Sequence, residues 1–476
     1  MASSFDVAIL GAGPAGAEAA GVAAQLGLST VVIDEASAAG GQVYRAPAAR
    51  VPEGDAHHAE GDALRAKLAQ SAAVFRAGER VWNIARTSDG VGALYDVATI
   101  GARGLETAQA RSLIVATGAT ERFYPRPGWT LPGVIGLAAA TILLKSSKVL
   151  PGSRVVVAGA GPLLSLVAHL IIEAGGQVAA LVDVSPLHEW IRLSPRMAAR
   201  PDLLARGMAW QFEIARHRVP VYRGYDVTRV LGANSVEAVE IARLDKEGRH
   251  RPLMLEADAL CLGYGLTPAT EVYRLLGARH AYIPERGGWI PELDDAQRTS
   301  VPFLYGAGDG AGLLGAAAAP LTGTAAALTA AADLGALEDH RYREKANELR
   351  GRLAKASRFG TAMASIARPR PALVKHIDDS TIVCRCEDIT AGEIRRAVNE
   401  GAENINALKF ATRCGMGPCG GRVCGEAAAS LMQCHGIDRT RIGQFTARPP
   451  LRPISLGDVT RNFEYSDIPL PEPAPA

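Results

Sequence analysis

Six of the chain's seven cysteines fall in one stretch: Cys384 and Cys386 flank a single arginine, and Cys414, Cys419, Cys424 and Cys434 follow. The long preceding sequence holds only Cys261. Thiolate is the soft ligand of iron–sulfur clusters and zinc, so this density reads as a metal site added to a larger machine that handles electrons. Three chemistries are open. A [2Fe–2S] cluster needs four thiolates, and two pairs separated by short helices suit it. Structural zinc also takes four cysteines, but its usual Cys-x₂-Cys knuckles are missing here. Unliganded core cysteines are the third reading.

The elements that position these sulfurs are legible nearby. Thr390 to Glu393 has the form of a capping box, which predicts a helix starting just after the Cys384–Cys386 pair and ending before Gly401. The positive end of that helix is expected to face the thiolates. Asn404 to Thr412 is a second short helical pattern, and the glycines between Cys414 and Cys424 allow a loop to wrap closely around a cluster.

At the other end of the chain, the apolar run Val7 to Leu10 leads into Gly11-Ala12-Gly13-Pro14-Ala15-Gly16, an alanine-rich helical segment, and a second apolar run ending in Asp34 and Glu35. Strand, glycine turn, helix, strand and acid in this order form a dinucleotide-binding unit. Gly11 permits the turn, Gly13 lets a pyrophosphate approach, and Gly16 lets helix and strand pack closely. The helix N-terminus faces the phosphates and Asp34 the ribose. Gly40-Gly41-Gln42 adds backbone amides near a flavin. A second unit of the same grammar runs from Arg154 through Gly159-Ala160-Gly161 to Asp183, except that Leu164 stands where the third glycine belongs. Leucine there is expected to push helix and strand apart and narrow the phosphate approach. A nicotinamide or adenine nucleotide and a retained scaffold are both open at this unit, and NADP is disfavoured because no arginine closely follows Asp183. Cys261 alone cannot form a redox disulfide and reads as a buried small residue.

With Val115-Ala116-Thr117-Gly118 and Tyr305-Gly306-Ala307-Gly308-Asp309, these motifs resemble the two-dinucleotide flavoproteins of the glutathione and thioredoxin reductase superfamily. The resemblance implies an α/β fold with FAD touched by Gly308 and Asp309. It implies a discontinuous FAD domain at 1–120 plus 290–335 and a second Rossmann-like domain at 121–289. The cysteine stretch is similar to the bacterioferritin-associated ferredoxin-like [2Fe–2S] domain, placed at 377–436 after a helical linker at 336–376. That similarity implies the ligands Cys384, Cys386, Cys419 and Cys424, with Cys414 a substitute and Cys434 outside the set.

The whole arrangement, with Gly128-Trp129-Thr130-Leu131-Pro132-Gly133, Leu144-Lys145-Ser146 and Thr412-Arg413-Cys414-Gly415-Met416-Gly417, resembles the alpha subunits of multimeric amino-acid dehydrogenases. These include opine oxidases, D-hydroxyproline dehydrogenase, hydrogen cyanide synthase and dye-linked proline dehydrogenase, with heterotetrameric sarcosine oxidase more distant. The resemblance implies an electron-transfer role, with a separate beta subunit, holding its own FAD, oxidising the C–N bond of an opine, D-amino acid or similar amine. It further implies FMN at a subunit boundary, a small gamma subunit in some assemblies, and a quinone, cytochrome or oxygen as acceptor. A stand-alone NAD(P)H-dependent reductase and a non-catalytic redox-sensing or docking protein are the rival functions.

Composition agrees with a globular protein of several domains, at 48% hydrophobic and 21% charged. A net charge of +2 without a long basic block argues against a nucleic-acid surface. The start lacks the pattern of a signal peptide, so a cytoplasmic setting is expected, with docking at the inner face of the membrane open. The proline-rich tail, 437–476, is expected to lie extended on a surface, with Phe463, Tyr465 and Ile468 as its anchors.

Overall fold

The apolar runs Ser3–Leu10 and Thr30–Asp34 pair in parallel around the helix Pro14–Gln25, as a strand–turn–helix unit must if its apolar residues are to leave water. The computed structural model describes residues 3–48, 56–88, 93–244, 252–375 and 377–460. The tail anchors Phe463, Tyr465 and Ile468 lie outside the described residues.

The first sheet has seven strands. Val74–Ala77, Thr30–Asp34, Ser3–Leu10 and Gly104–Val115 run parallel, and Ala93–Gly101 and Arg80–Ser88 extend the sheet as an antiparallel ribbon. Leu304–Gly306 returns from far along the chain to pair with Gly104–Val115. Val7 to Leu10 are buried on both faces, which is why they read as an unbroken apolar run. Helices Pro14–Gln25 and Ala319–Asp333 cover one face; a Cβ on Gly323 would overlap the carbonyl oxygen of Ala15, so only glycine permits this approach.

The second sheet is wholly parallel, in the order Val221–Arg223, Gln177–Asp183, Arg154–Gly159, Ala259–Gly263 and Val134–Gly136. Cys261 lies on an inner strand, fully buried, and burial pushes its thiol up to about 12. Leu164 belongs to the apolar cluster beneath this sheet, with Val155, Val157 and Ile171. It is absorbed as core.

The 28-residue helix Asp339–Ile366 then leads to the cysteine module. Ile382–Cys384 and Ile389–Thr390 form a small hairpin, followed by helices Ala391–Asn399, Ile405–Thr412 and Gly425–Cys434. The capping box at Thr390 and Glu393 is present, and Gly401 follows the first helix with φ +107°. One apolar cluster joins Tyr124, Val227 and Tyr264 of the core to Ile394, Leu408 and Leu431 of the module, so the module is packed on the core. The chain beyond it crosses back: Leu451 packs with the first domain, donates to the carbonyl of Trp82 at 2.7 Å and accepts from Arg422 at 2.8 Å. Among the described residues no helix is long and apolar enough to cross a membrane.

Candidate functional site

Four segments converge at the carboxyl ends of the first sheet. A Cβ on Gly11 would lie 2.5 Å from the carbonyl oxygen of Ala116, one on Gly308 would lie 2.9 Å from Cβ of Ala15, and one on Gly310 would lie 3.0 Å from Thr117 Oγ1. Gly41 faces Gly13 with equal closeness, its Cβ position being 3.0 Å from Gly13 Cα. Backbone lines this groove, and the first-turn amides of Ala15 and Gly16 have no partner within the helix, which is the chemistry a pyrophosphate needs; Pro14 at the first position carries no N–H to leave unpaired.

The acids are placed in two ways. Asp34 accepts from the amides of Ala12, at 2.5 Å, and Ala36, at 2.8 Å, so it braces the glycine turn, and burial pushes its carboxyl up. Glu35 beside it is exposed, and Gln42 is exposed and accepts from Arg45. Asp309 accepts from the amides of Leu314 and Gly315, both on Oδ1, and burial raises it too. Gly118 accepts from the amide of Ala269, tying this groove to the second domain. The residues present fit a flavin dinucleotide.

The second crevice does not fit a nicotinamide dinucleotide, and the chain's own residues fill it. A Cβ on Gly161 would lie 2.8 Å from Cβ of Ala367, so Ala367 sits where a pyrophosphate would approach. Gly159 is pressed to the carbonyl of Gly263. Asp183 is 1% exposed and holds the amide of Ser185, the indole of Trp190 at 3.1 Å and the guanidinium of Arg223 at 3.2 Å. Arg368 and Arg370 clamp Glu189, holding its carboxyl down at about 2 against the raising effect of burial. One expectation is corrected here: Ala367 packs against the glycine turn, whereas Leu164 lies in the core and does not close the approach. Arg223, which reaches Asp183, is its register partner on the neighbouring strand and not a residue that closely follows it in sequence.

The cysteines come together around the loop Cys414–Cys424. The sulfurs of Cys384, Cys414 and Cys424 lie within 4.8 Å of one another, all buried. Cys424 also contacts Cys419, and Cys419 contacts Cys386, which is exposed. Thiols donating from Cys414 and Cys424, with amides of Gly415 and Glu387, pull Cys384 down to about 2; neighbouring thiols and the amides of Val423 and Gly421 pull Cys419 down to about 5. The first amides of the helix Ala391–Asn399 bond Thr381, Asp379 and Thr390. Gly415 and Gly421 lie under the ring of Phe445, with Cβ positions 2.6 and 2.5 Å from it, and Gly417 packs against Cys386. Cys434 lies apart, its sulfur 3.5 Å from the carbonyl of Pro371.

Three side chains to which sequence reasoning gave no role stand out, and the first of them joins core to module. Trp129 donates to the carbonyl of Ile382 at 2.7 Å and stacks under Arg385. Arg122, 1% exposed, donates to the carbonyls of Tyr264, Leu266, Gly287 and Ala367. Glu121 is buried against the amides of Leu137 and Ala138, and burial pushes it up to about 8.

Comparison with known proteins places these sites in context. Residues 5–333 match the model of the pyridine nucleotide-disulphide oxidoreductases, and residues 382–443 match that of the BFD-like [2Fe–2S] binding domain. The A-type subunit of opine oxidase from Rhizobium meliloti is 34% identical over 96% of this chain and 98% of its own length. The HcnB subunit of hydrogen cyanide synthase from Pseudomonas protegens is 32% identical over 95% and 96%. Among solved structures, L-proline dehydrogenase from P. horikoshii superposes with a TM-score of 0.68 at 21% identity, covering 96% of this chain and 80% of that one. Thioredoxin reductase of T. acidophilum gives 0.51 at 24%, covering 70% and 99%; both likenesses speak to fold.

Proposed function

The chain belongs to the pyridine nucleotide-disulphide oxidoreductase family, alongside opine oxidase subunits, and from this we propose that it is the electron-transferring subunit of a multi-subunit, FAD-dependent amine dehydrogenase. A partner beta subunit oxidises the C–N bond of an opine, D-amino acid or similar secondary amine. This chain takes the electrons onward to an acceptor. The observation that carries the reading is the pairing of a flavin-type cradle having no redox cysteine pair beside it with five cysteines gathered in a module packed on the same core. FAD, when bound, supplies a centre that takes two electrons together and releases them singly, and a [2Fe–2S] cluster accepts one at a time.

The residues divide the work. Gly11, Gly13, Pro14, Ala15 and Gly16 hold the pyrophosphate of FAD, and Asp34 with Glu35 the adenosine ribose. Gly41, Gln42, Ala116, Thr117 and Gly118 shape the groove. Gly308 and Asp309 would hold the ribityl side, Asp309 keeping one carboxylate oxygen, Oδ2, free of its backbone bonds. Cys384, Cys386, Cys419 and Cys424 are the cluster ligands. Their contacts run in sequence, Cys384 to Cys424, Cys424 to Cys419, Cys419 to Cys386, which supports two pairs on two irons. Cys414, buried alongside Cys384 and Cys424, is then left out of the ligand set. Gly159, Gly161 and Asp183 serve as scaffold, so electrons do not enter from a nicotinamide. Trp129 fixes the module against the core, keeping the distance between donor and acceptor constant.

The test is to purify the chain alone and together with its beta partner. Amine oxidation is expected only in the complex, and Cys386→Ser is expected to stop electron delivery to the acceptor while the partner's flavin is still reduced by amine. Robust amine oxidation by the isolated chain would refute this division of labour.

A further inference from the structure

Arginines outnumber carboxylates at the seam between core and cysteine module. A cavity of about 90 Å³ lies there, lined by Arg122, Arg274, Arg422 and Arg439 against only Glu271 and Glu426. Glu271 pairs with Arg422 at 2.7 Å and Glu426 with Arg439 at 3.0 Å, which leaves the charges of Arg122 and Arg274 without an ion-pair partner among the described residues. The site is buried: Arg122 is 1% and Arg439 7% exposed.

The terminal nitrogens of Arg122, Arg274 and Arg439 already donate, to backbone carbonyls and to Glu426, but other donors around the cavity are unspent. Nε of Arg122, Arg274 and Arg439 and the indole Nε1 of Trp289 are buried with no hydrogen-bond partner. One buried donor left unpaired costs about 1–3 kcal/mol, so several around one cavity call for a shared acceptor. Burial and the neighbouring Arg422 both disfavour the charged form of Arg274, and Glu271 only partly opposes them, so an added anion would relieve it. One group faces the other way: Oε1 of Glu426 is buried and also has no partner, and a carboxylate oxygen needs a donor.

We propose that this cavity binds hydrogen phosphate. That ion carries two negative charges to match Arg122 and Arg274, offers acceptors on several sides to the guanidinium and indole N–H groups, and keeps one O–H to donate to Glu426. Sulfate has the same shape and charge but no proton to donate at neutral pH. A phosphate monoester in its dianionic form lacks the proton as well and adds bulk. Arg422 and its neighbours Gly420 to Val423 form the turn between Cys419 and Cys424, so occupancy places negative charge beside those sulfurs. Only that last consequence rests on the iron–sulfur reading above; the binding itself does not.

Calorimetric titration of the full-length, cofactor-loaded protein in phosphate-free buffer at constant ionic strength tests this, with inorganic phosphate, sulfate and glycerol phosphate as titrants. We expect one saturable phosphate site per chain and at least tenfold weaker binding of the other two anions. Arg274→Gln and Trp289→Phe are each expected to weaken phosphate at least threefold. Trp289→Phe keeps the ring that packs on Tyr282, so it carries the test should Arg274→Gln fail to fold. Absence of saturable phosphate binding, meaning water alone fills the cavity, overturns the proposal. So does equal affinity for sulfate or for glycerol phosphate, or wild-type affinity in the folded variants.

Discussion

Cys414 and Cys419 sit on one short glycine loop, and only Cys419 is assigned to iron. Cys414 is fully buried and touches Cys384 and Cys424, whereas Cys419 links Cys424 to Cys386. Cys419→Ser is therefore expected to lose the iron, the labile sulfide and the electron paramagnetic resonance (EPR) signal of the reduced cluster, and Cys414→Ser to retain them. The opposite result would move the ligand to Cys414. A second residue-scale prediction concerns Glu121, whose carboxyl is pushed up to about 8 by burial from an ordinary value of 4.5. The folded state then binds a proton that the unfolded chain gives up, so the stability this group contributes is full below about 4.5 and is lost as pH rises through about 8. Glu121→Gln, which cannot ionise, is expected to flatten that slope and to be more stable than the natural protein at pH 9, by on the order of a few kcal/mol. Thermal unfolding from pH 5 to pH 9 reads it; an unchanged slope would mean that Glu121 ionises freely. The glycine turns and cysteine spacings behind the site were legible because each is fixed by neighbours in sequence. Glu121 was not, since nothing local distinguishes a buried carboxylate from an exposed one.

The loop Cys414–Cys424 is an element held shut by Phe445. Gly421 has φ +81°, and its Cβ position lies 2.5 Å from the Phe445 ring, so Gly421→Ala meets both strain and a clash. The cost is about 1–3 kcal/mol, borne by the module. We expect iron content to fall while flavin content holds, measured on the same preparation; equal loss of both would mean that the module and core unfold together. The second Rossmann unit makes a different point at this scale. Its strand, turn and helix were readable as a nucleotide fold, and the fold formed. What closes it was not readable, because Ala367, Arg223 and Trp190 reach Gly161 and Asp183 only through tertiary packing. NADH is accordingly expected neither to raise the melting temperature nor to bleach the flavin under anaerobic conditions, and a clear shift in either would reopen that crevice.

Across the whole molecule, the flavin groove, the closed second crevice and the cysteine module share one packed body. Core and module meet through Trp129 and a common apolar cluster, and the chain beyond the module returns through Leu451 to the first sheet. Such a body suits passage of electrons between fixed centres and needs no large motion. Its architecture followed from the order of motifs, whereas the seam between core and module, being a product of long-range contacts, had no sequence signature. The most direct measurement of the central claim is the EPR signal of the [2Fe–2S] cluster in the assembled complex, frozen after anaerobic mixing with amine substrate or with NADH. Amine is predicted to raise the reduced-cluster signal within turnover and NADH to leave it flat. A cluster that NADH reduces, or that stays oxidised while the amine is consumed and the acceptor reduced, would contradict it.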